Sequence, residues 1–405
     1  MKNRMTHTNS PPGLVVLAGL LCAACASESP GGPSGFADVA AVSTNPAGPA
    51  VVDLWGPVEP PPNARAYASA VNQAGVVVGR TGSQVVMWYH GTVTPIAPLC
   101  TFSLCFLDRG DFRVGENAAG QVVGTSFQQA FAWNHGTLTN LGPSVQNASY
   151  ASWINESGDV LGAMGLCDIA VTDCEGRAVL WRHGSPIPLT LGGNRSRPAG
   201  LNAAGQAIGE ASLPVAPGEP PGSSDVHAFL WQDGTMTDLG TLGGHSSSAM
   251  GINSQGQVVG FAATADDVLH AVLWDHGTTT DLGEGRACAI NSASQIVGES
   301  EGRAVVWDHG NKIDIGLSGY GTGSINPLCG LFLHGPTINA AGDVALNYCT
   351  HDDVCAAYLW DRGTLTTLGD LGGDEATVFG MNAQGWIVGQ SATASGELHA
   401  VLWTR

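Results

Sequence analysis

The sequence predicts an all-β fold, a β-propeller of eight four-stranded blades. Three observations predict it. A motif built on Asn recurs eight times, a second motif built on Trp recurs eight times, and the two alternate strictly along the chain. The body of the chain also begins with the one segment its last repeat lacks.

The Asn motif falls at Asn72, Asn117, Asn155, Asn202, Asn253, Asn291, Asn339 and Asn382, and reads NQAGVVVG in the first copy and NSQGQVVG in the fifth. Its Gly is replaced by Ser294 in the sixth copy, and its closing Gly by Leu346 in the seventh. N-x-x-G predicts a tight hairpin loop, because Asn bonds its own backbone and Gly takes positive φ. The Trp motif falls at Trp88, Trp133, Trp181, Trp231, Trp274, Trp307, Trp360 and Trp403. The first seven Trp lead into W-x-[H/D/R]-G, a second hairpin turn, and then into a Thr-rich apolar segment such as Thr278–Gly283. Segments of four to six β-branched or aromatic residues between such turns are strands. The intervals run from 33 to 53 residues with a mean near 44 for Asn. That period, with four strands in each repeat, is the signature of a propeller.

The ends support a closed ring. The last copy stops at Leu402-Trp403-Thr404-Arg405 without its fourth segment, and Val51-Val52-Asp53-Leu54 supplies a matching one. A strand from one end of the chain then completes a blade begun at the other. An open solenoid needs polar capping repeats instead, and the sequence shows none. Seven blades with one degenerate repeat displaced is the alternative. The phrase as a whole resembles the HAF-repeat extracellular proteins, through His227-Ala228-Phe229-Leu230-Trp231 and Asp238–Gly244 (DLGTLGG). The resemblance covers about residues 50–405 and implies export and a repeat architecture, with no established activity.

Composition narrows the function classes. Gly is 57 of 405 residues without a collagen period, which fits many turns. Hydrophobic residues at 43% suffice for a core. The formal charge is −19; removing Lys2 and Arg4 from the 15 basic residues leaves 13 against 34 acidic ones, a formal −21. Such a surface repels phosphate backbones, so nucleic acid is not an expected partner.

The first 25 residues read as a signal peptide. Lys2 and Arg4 precede a short apolar run that ends in small residues around Ala23-Ala24-Cys25. That ending is similar to a lipoprotein box, so Cys25 is the expected lipidation site, with cleavage after Ala26 as the alternative. A lipid at Cys25 is then the expected membrane contact. Residues 26–49, rich in Ser, Pro, Gly and Ala, read as a flexible spacer, and residues 50–405 as the repeat domain.

Eight cysteines remain: Cys100, Cys105, Cys167, Cys174, Cys288, Cys329, Cys349 and Cys355. An even number in an exported chain predicts disulfides. Cys167 with Cys174 and Cys349 with Cys355 bracket equivalent loops of the third and seventh repeats. Cys100 with Cys105 encloses the start of an insert, and Cys288 with Cys329 would join adjacent repeats. The spacings do not form a zinc motif.

No catalytic constellation stands out: there is no G-x-S-x-G, H-E-x-x-H, P-loop, calcium loop or dinucleotide fingerprint. Catalytic residues, metal ligands and cofactors are therefore expected to be none. Five of twelve histidines, His90, His135, His183, His276 and His309, share the W-x-H-G turn. Equivalent points of neighbouring blades are separated by more than about 10 Å, and zinc ligands lie about 2 Å from one ion, so these histidines cannot share a metal. The residue before each A-x-L-W is Gln84, Gln129, Arg177, His227, His270, Arg303, Ala356 or His399, and is expected to make a blade-to-blade or turn-fixing bond. The eight repeat Trp are expected in blade cores, while Trp55, Trp153 and Trp386 lie off the repeat. Asp266-Asp267 and Asp352-Asp353 read as solvated loop carboxylates. Length varies in inserts at 98–113, 164–176, 213–226, 317–336 and 348–355, where a repeat protein places its binding surface. The expected protein is an exported, monomeric cell-surface binding or scaffold module for an extracellular polysaccharide or protein. The alternative is an extracellular hydrolase or lyase with a site at the channel mouth.

Overall fold

The computed structural model describes residues 41–42, 49–55, 66–98 except 83, 114–142 except 127–128, 148–166, 175–218 except 216, 225–318, 335–349 and 354–404. The signal segment, Cys25, most of the spacer, Cys100, Cys105, Cys167, Cys174, Cys329 and the pair Asp352-Asp353 lie outside them, as does most of the insert sequence at 98–113, 164–176, 317–336 and 348–355. The described residues contain strands and turns and no helix.

Strand pairing follows the sequence repeat. Each copy contributes an antiparallel set in the order a–b–c–d. In the fourth copy these are Ser196–Leu201, Ala207–Ser212, Val226–Gln232 and Thr235–Gly240. Among the described residues the pairings sort into one such set for each sequence repeat. The long strand Thr278–Ile290 is the fourth strand of one set and the first of the next. Sets of four antiparallel strands, arranged radially with the a-strands innermost, form a β-propeller.

Closure comes from the start of the body. Ala50–Asp53 pairs antiparallel with Leu398–Thr404, Val51 opposite Trp403 and Asp53 opposite Val401. Leu54 N donates to Ala400 O at 2.9 Å and continues the ladder. Ala41–Val42, inside the segment expected to be a spacer, adds a further strand outside Ala50–Asp53. Pairing satisfies edge backbone groups that water would otherwise have to serve.

The N-x-x-G loops fold as expected. Asn72 Oδ1 accepts from Ala74 N at 2.9 Å and from Val76 N at 3.0 Å, while Gly75, at φ 80°, donates its N–H to Asn72 O. In the Trp turns, His90 and Gly91 both have positive φ, at 48° and 71°. Two such residues in succession make the tight turn whose twist suits a hairpin.

The Gly that closes the Asn motif has a separate reason. Opposite Gly260, the a-strand Gly243–Ile252 shifts register between Ala249 and Gly251. A Cβ on Gly260 would lie 1.9 Å from Ser248 O. In the seventh copy, with Leu346 in that place, the a-strand among the described residues is the short Thr337–Ile338.

The core lies between the sheets. Trp181 and Trp403 are fully buried, and Trp88, Trp231, Trp274, Trp307 and Trp360 are buried. The indole N–H of Trp181 donates to Leu141 O of the preceding set at 2.9 Å. Serines clamp neighbouring sets: the hydroxyls of Ser149, Ser196 and Ser247, each on an a-strand, accept from the backbone N–H of Ala130, Ala178 and Ala228. Trp55 and Trp386 pack against one core cluster and Trp153 against another, so their aromatic faces are used in packing.

Candidate functional site

The strand order fixes two faces. The a–b loops (N-x-x-G) and the c–d turns (W-x-H-G) emerge on one, the turn face. The b–c loops and the connections from each d-strand to the next a-strand emerge on the other, the loop face.

On the turn face the repeat asparagines form a hydrogen-bonded chain. Asn117 Nδ2 donates to Asn155 O, Asn202 Nδ2 to Asn253 O, Asn253 Nδ2 to Asn291 O and Asn291 Nδ2 to Asn339 O, at 2.9–3.1 Å. Asn382 Nδ2 donates to Asn72 O at 3.0 Å, joining the last copy to the first across 310 residues. Each of these side chains is buried. A buried amide with its donors and acceptor filled is architecture. Residues four further on extend the network: Gln257 Nε2 donates to Asp275 Oδ2 and Gln295 Nε2 to Asp308 Oδ2. Those bonds, followed by the ones from His276 and His309, hold Asp275 and Asp308 below the usual carboxylate range. The five turn histidines are exposed, each on a different set. Among the described residues, no group of three His, Cys, Asp or Glu side chains could hold a metal ion.

In four copies the residue before A-x-L-W makes a bond within its own set. His227 Nδ1 lies 2.9 Å from Asp238, and His270 Nδ1 lies 2.9 Å from Asp281. Arg303 Nε donates to Asp314 at 2.5 Å, and His399 Nδ1 lies 2.8 Å from Asp53 of the closing strand. These are rungs from c to d, where a blade-to-blade or turn-fixing bond is the sequence expectation. Each Asp also caps a turn: Gly240, Gly283 and Gly316 donate their N–H to Asp238, Asp281 and Asp314 at 2.8 Å. The sequence carries a signal for these rungs: the acid lies eleven residues after the His or Arg, at 227/238, 270/281 and 303/314.

The hydrogen bond to Asp53 pushes the His399 pKa above the ordinary imidazole value, against burial, which lowers it. Burial pulls Asp281 upward, but the Gly283 N–H and His270 outweigh it and leave the carboxyl low. Trp55 lies over His399, with ring centroids 5.4 Å apart.

Arg177 breaks the rung pattern. It has the cation of the third copy, yet position 188, eleven residues on, is Pro. Val179 faces Pro188 in the register that sets Phe229 opposite Asp238 and Val305 opposite Asp314. Arg177 lies instead at a loop-face depression of ≈ 360 Å³ between the third and fourth sets, with Gly192, Gly193, Asn194, Leu213, Pro214 and Val215. That volume falls within the range of small-ligand sites.

Glu116 is a second departure. It stands where the other copies carry Val71, Ile154, Leu201, Ile252, Ile290, Ile338 and Met381. Burial pushes its carboxyl well above the usual value, and the Asn72 backbone only partly offsets this.

Cys349 and Cys355 form a disulfide with Cα atoms 3.9 Å apart, joining a b-strand to its c-strand. Cys288 is also disulfide-bonded.

No protein-family model matches the chain, and no curated protein matches it. Among solved structures it is similar to the β-propeller domain of the Trilobed protease from Pyrococcus furiosus, at 11% identity over 76% of this chain and 98% of that one, with a TM-score of 0.45. It is also similar to an oligogalacturonate lyase from Vibrio parahaemolyticus, at 9% identity over 89% and 94% of the two chains, with a TM-score of 0.45. A putative TolB from Agrobacterium tumefaciens matches at 14% identity over 66% and 94%, with a TM-score of 0.36.

Proposed function

We propose that the chain is an exported binding or scaffold module of the HAF-repeat kind, an eight-bladed ring that takes its ligand on the loop face. One observation carries this reading. The recurring polar residues of the Asn motif and of the His–Asp and Arg–Asp rungs bond to the fold itself. The depression at Arg177, whose side chain has no partner among the described residues, opens on the loop face instead. Sites on loops held by a rigid scaffold are the usual arrangement in repeat architectures. Lipidation at Cys25 would hold the module at the cell surface. The intact mass of the mature protein tests that point, and an unmodified N-terminus at Ser27 contradicts it.

The binding reading is tested with the full chain on an array of extracellular polysaccharides and peptides. His276→Ala/His309→Ala, on the turn face, is expected to keep every feature the wild type binds. Arg177→Gln is expected to lose at least one. Loss confined to the histidine variant contradicts a loop-face site. Release of products from an array ligand replaces the binding module with the hydrolase or lyase reading.

A further inference from the structure

We propose that the depression at Arg177 recognises the free carboxylate of a peptide C-terminus whose last residue is aliphatic. The proposal rests on the loop-face reading above and names the chemistry taken there.

The argument starts from the scarcity of cations. The described residues include nine Arg and Lys. Arg182, Arg197, Arg303, Lys312 and Arg362 each meet a carboxylate. Arg80 and Arg286 lie over the rings of Tyr67 and Phe261. The side chains of Arg177 and Arg195 have no acceptor among the described residues, and Arg195 follows Asn194 of the same depression. Among the described residues, Arg177 and Arg195 are thus two guanidiniums at one blade border without a carboxylate partner. The sister position shows what such a cation does when its acid is present: Arg303 binds the carboxylate of Asp314. With Pro188 in place of that acid, Arg177 is left to take a carboxylate from elsewhere. A guanidinium presents paired N–H donors that match a carboxylate.

The rest of the depression defines the ligand further. Asn194 Oδ1 accepts from the Ser212 hydroxyl at 3.4 Å, which leaves its Nδ2 able to donate to a peptide carbonyl. Leu213, Pro214 and Val215 supply aliphatic surface, and Val215 is 41% exposed. Gly193 keeps the floor low, since a Cβ there would lie 2.2 Å from Ser212 Oγ. Donors for a carboxylate next to aliphatic surface fit a terminal Val, Leu or Ile; capture of a terminal carboxylate is a recurrent mode of peptide recognition. The lining has no aromatic residue on which a sugar ring could stack.

The test titrates the full chain with labelled pentapeptides ending in Val or Leu, each as the free acid and as the C-terminal amide, and with trigalacturonate. The acid is expected to bind at least about tenfold tighter than the amide. Arg177→Gln removes that preference, Arg177→Lys keeps part of it, and Arg362→Gln, on the turn face, keeps all of it. Matched thermal melts show that the variants fold. Equal binding of acid and amide, an unchanged preference in Arg177→Gln, or no binding up to millimolar peptide overturns the proposal. Arg177-dependent binding of trigalacturonate without the peptide acid overturns it too, while leaving the loop-face reading standing. The loop-face reading fails separately, when array binding is lost only with the turn-face histidines.

Discussion

Asn253 shows how much one repeated side chain does. Its Oδ1 accepts from Gln255 N and Gln257 N, and its Nδ2 donates to Gln257 Oε1 and to Asn291 O of the next set. Asn253→Ala leaves the part-buried N–H groups of Gln255 and Gln257 without their acceptor and removes one of two donors to Asn291 O, each loss worth about 1–3 kcal/mol. Chemical denaturation is expected to show a loss of about 2–4 kcal/mol, against almost none for the exposed neighbour change Ser254→Ala. His399 gives a pH test. Its folded pKa is raised, so its contribution is full below the unfolded value of about 6.5 and fades as pH rises through the folded one. The melting temperature of wild type should therefore exceed that of His399→Gln by more at pH 5.5 than at pH 9. An equal gap at both pH values would show that the Asp53 contact adds no proton linkage. At this scale, half of each asparagine's role is legible in sequence. The turn bond is local and follows from N-x-x-G. The bond to the next set ends on a backbone carbonyl, which any residue carries, so no sequence pattern marks it.

Strands and turns were the readable elements, because short β-branched runs between Gly-containing hairpins have few other ways to fold. The closing Gly of the Asn motif was visible as a repeat, while its cause was not. A register shift in the facing a-strand brings a carbonyl to where its Cβ would be, and shifts depend on backbone geometry across the pair. Gly260→Ala is therefore expected to cost about 1–3 kcal/mol or more in a denaturant titration. Gly389, with a Cβ contact of 1.9 Å to Thr377 O, should behave the same way. A tolerated alanine at both sites would mean that the a-strand relaxes freely. The rungs were legible in principle, from the eleven-residue spacing shared by His227/Asp238 and His270/Asp281. Arg177 gains meaning only against that pattern, as the copy with a cation and no acid.

At the scale of the whole molecule, closure decides whether the repeats act as one body. Ala50–Asp53 joins the outer edge of the last set, and Asn382 joins the first copy on the inner side. The two contacts lie on opposite sides of the last set, Ala50–Asp53 beyond its c-strand and Asn382 at the end of its a-strand. The missing fourth segment after Trp403 predicts the first of these contacts, and nothing in the sequence marks the second. The insert sequence, where binding chemistry was expected, lies mostly outside the described residues, and Leu213–Val215 is the part of it that reaches the depression. Hydrogen–deuterium exchange on the full chain tests closure most directly. The amides of Ala50–Asp53 are predicted to exchange as slowly as those of the interior strand Val258–Thr264, since both open only when the ring does. Fast exchange at Ala50–Asp53 beside a protected Val258–Thr264 would contradict the closed ring.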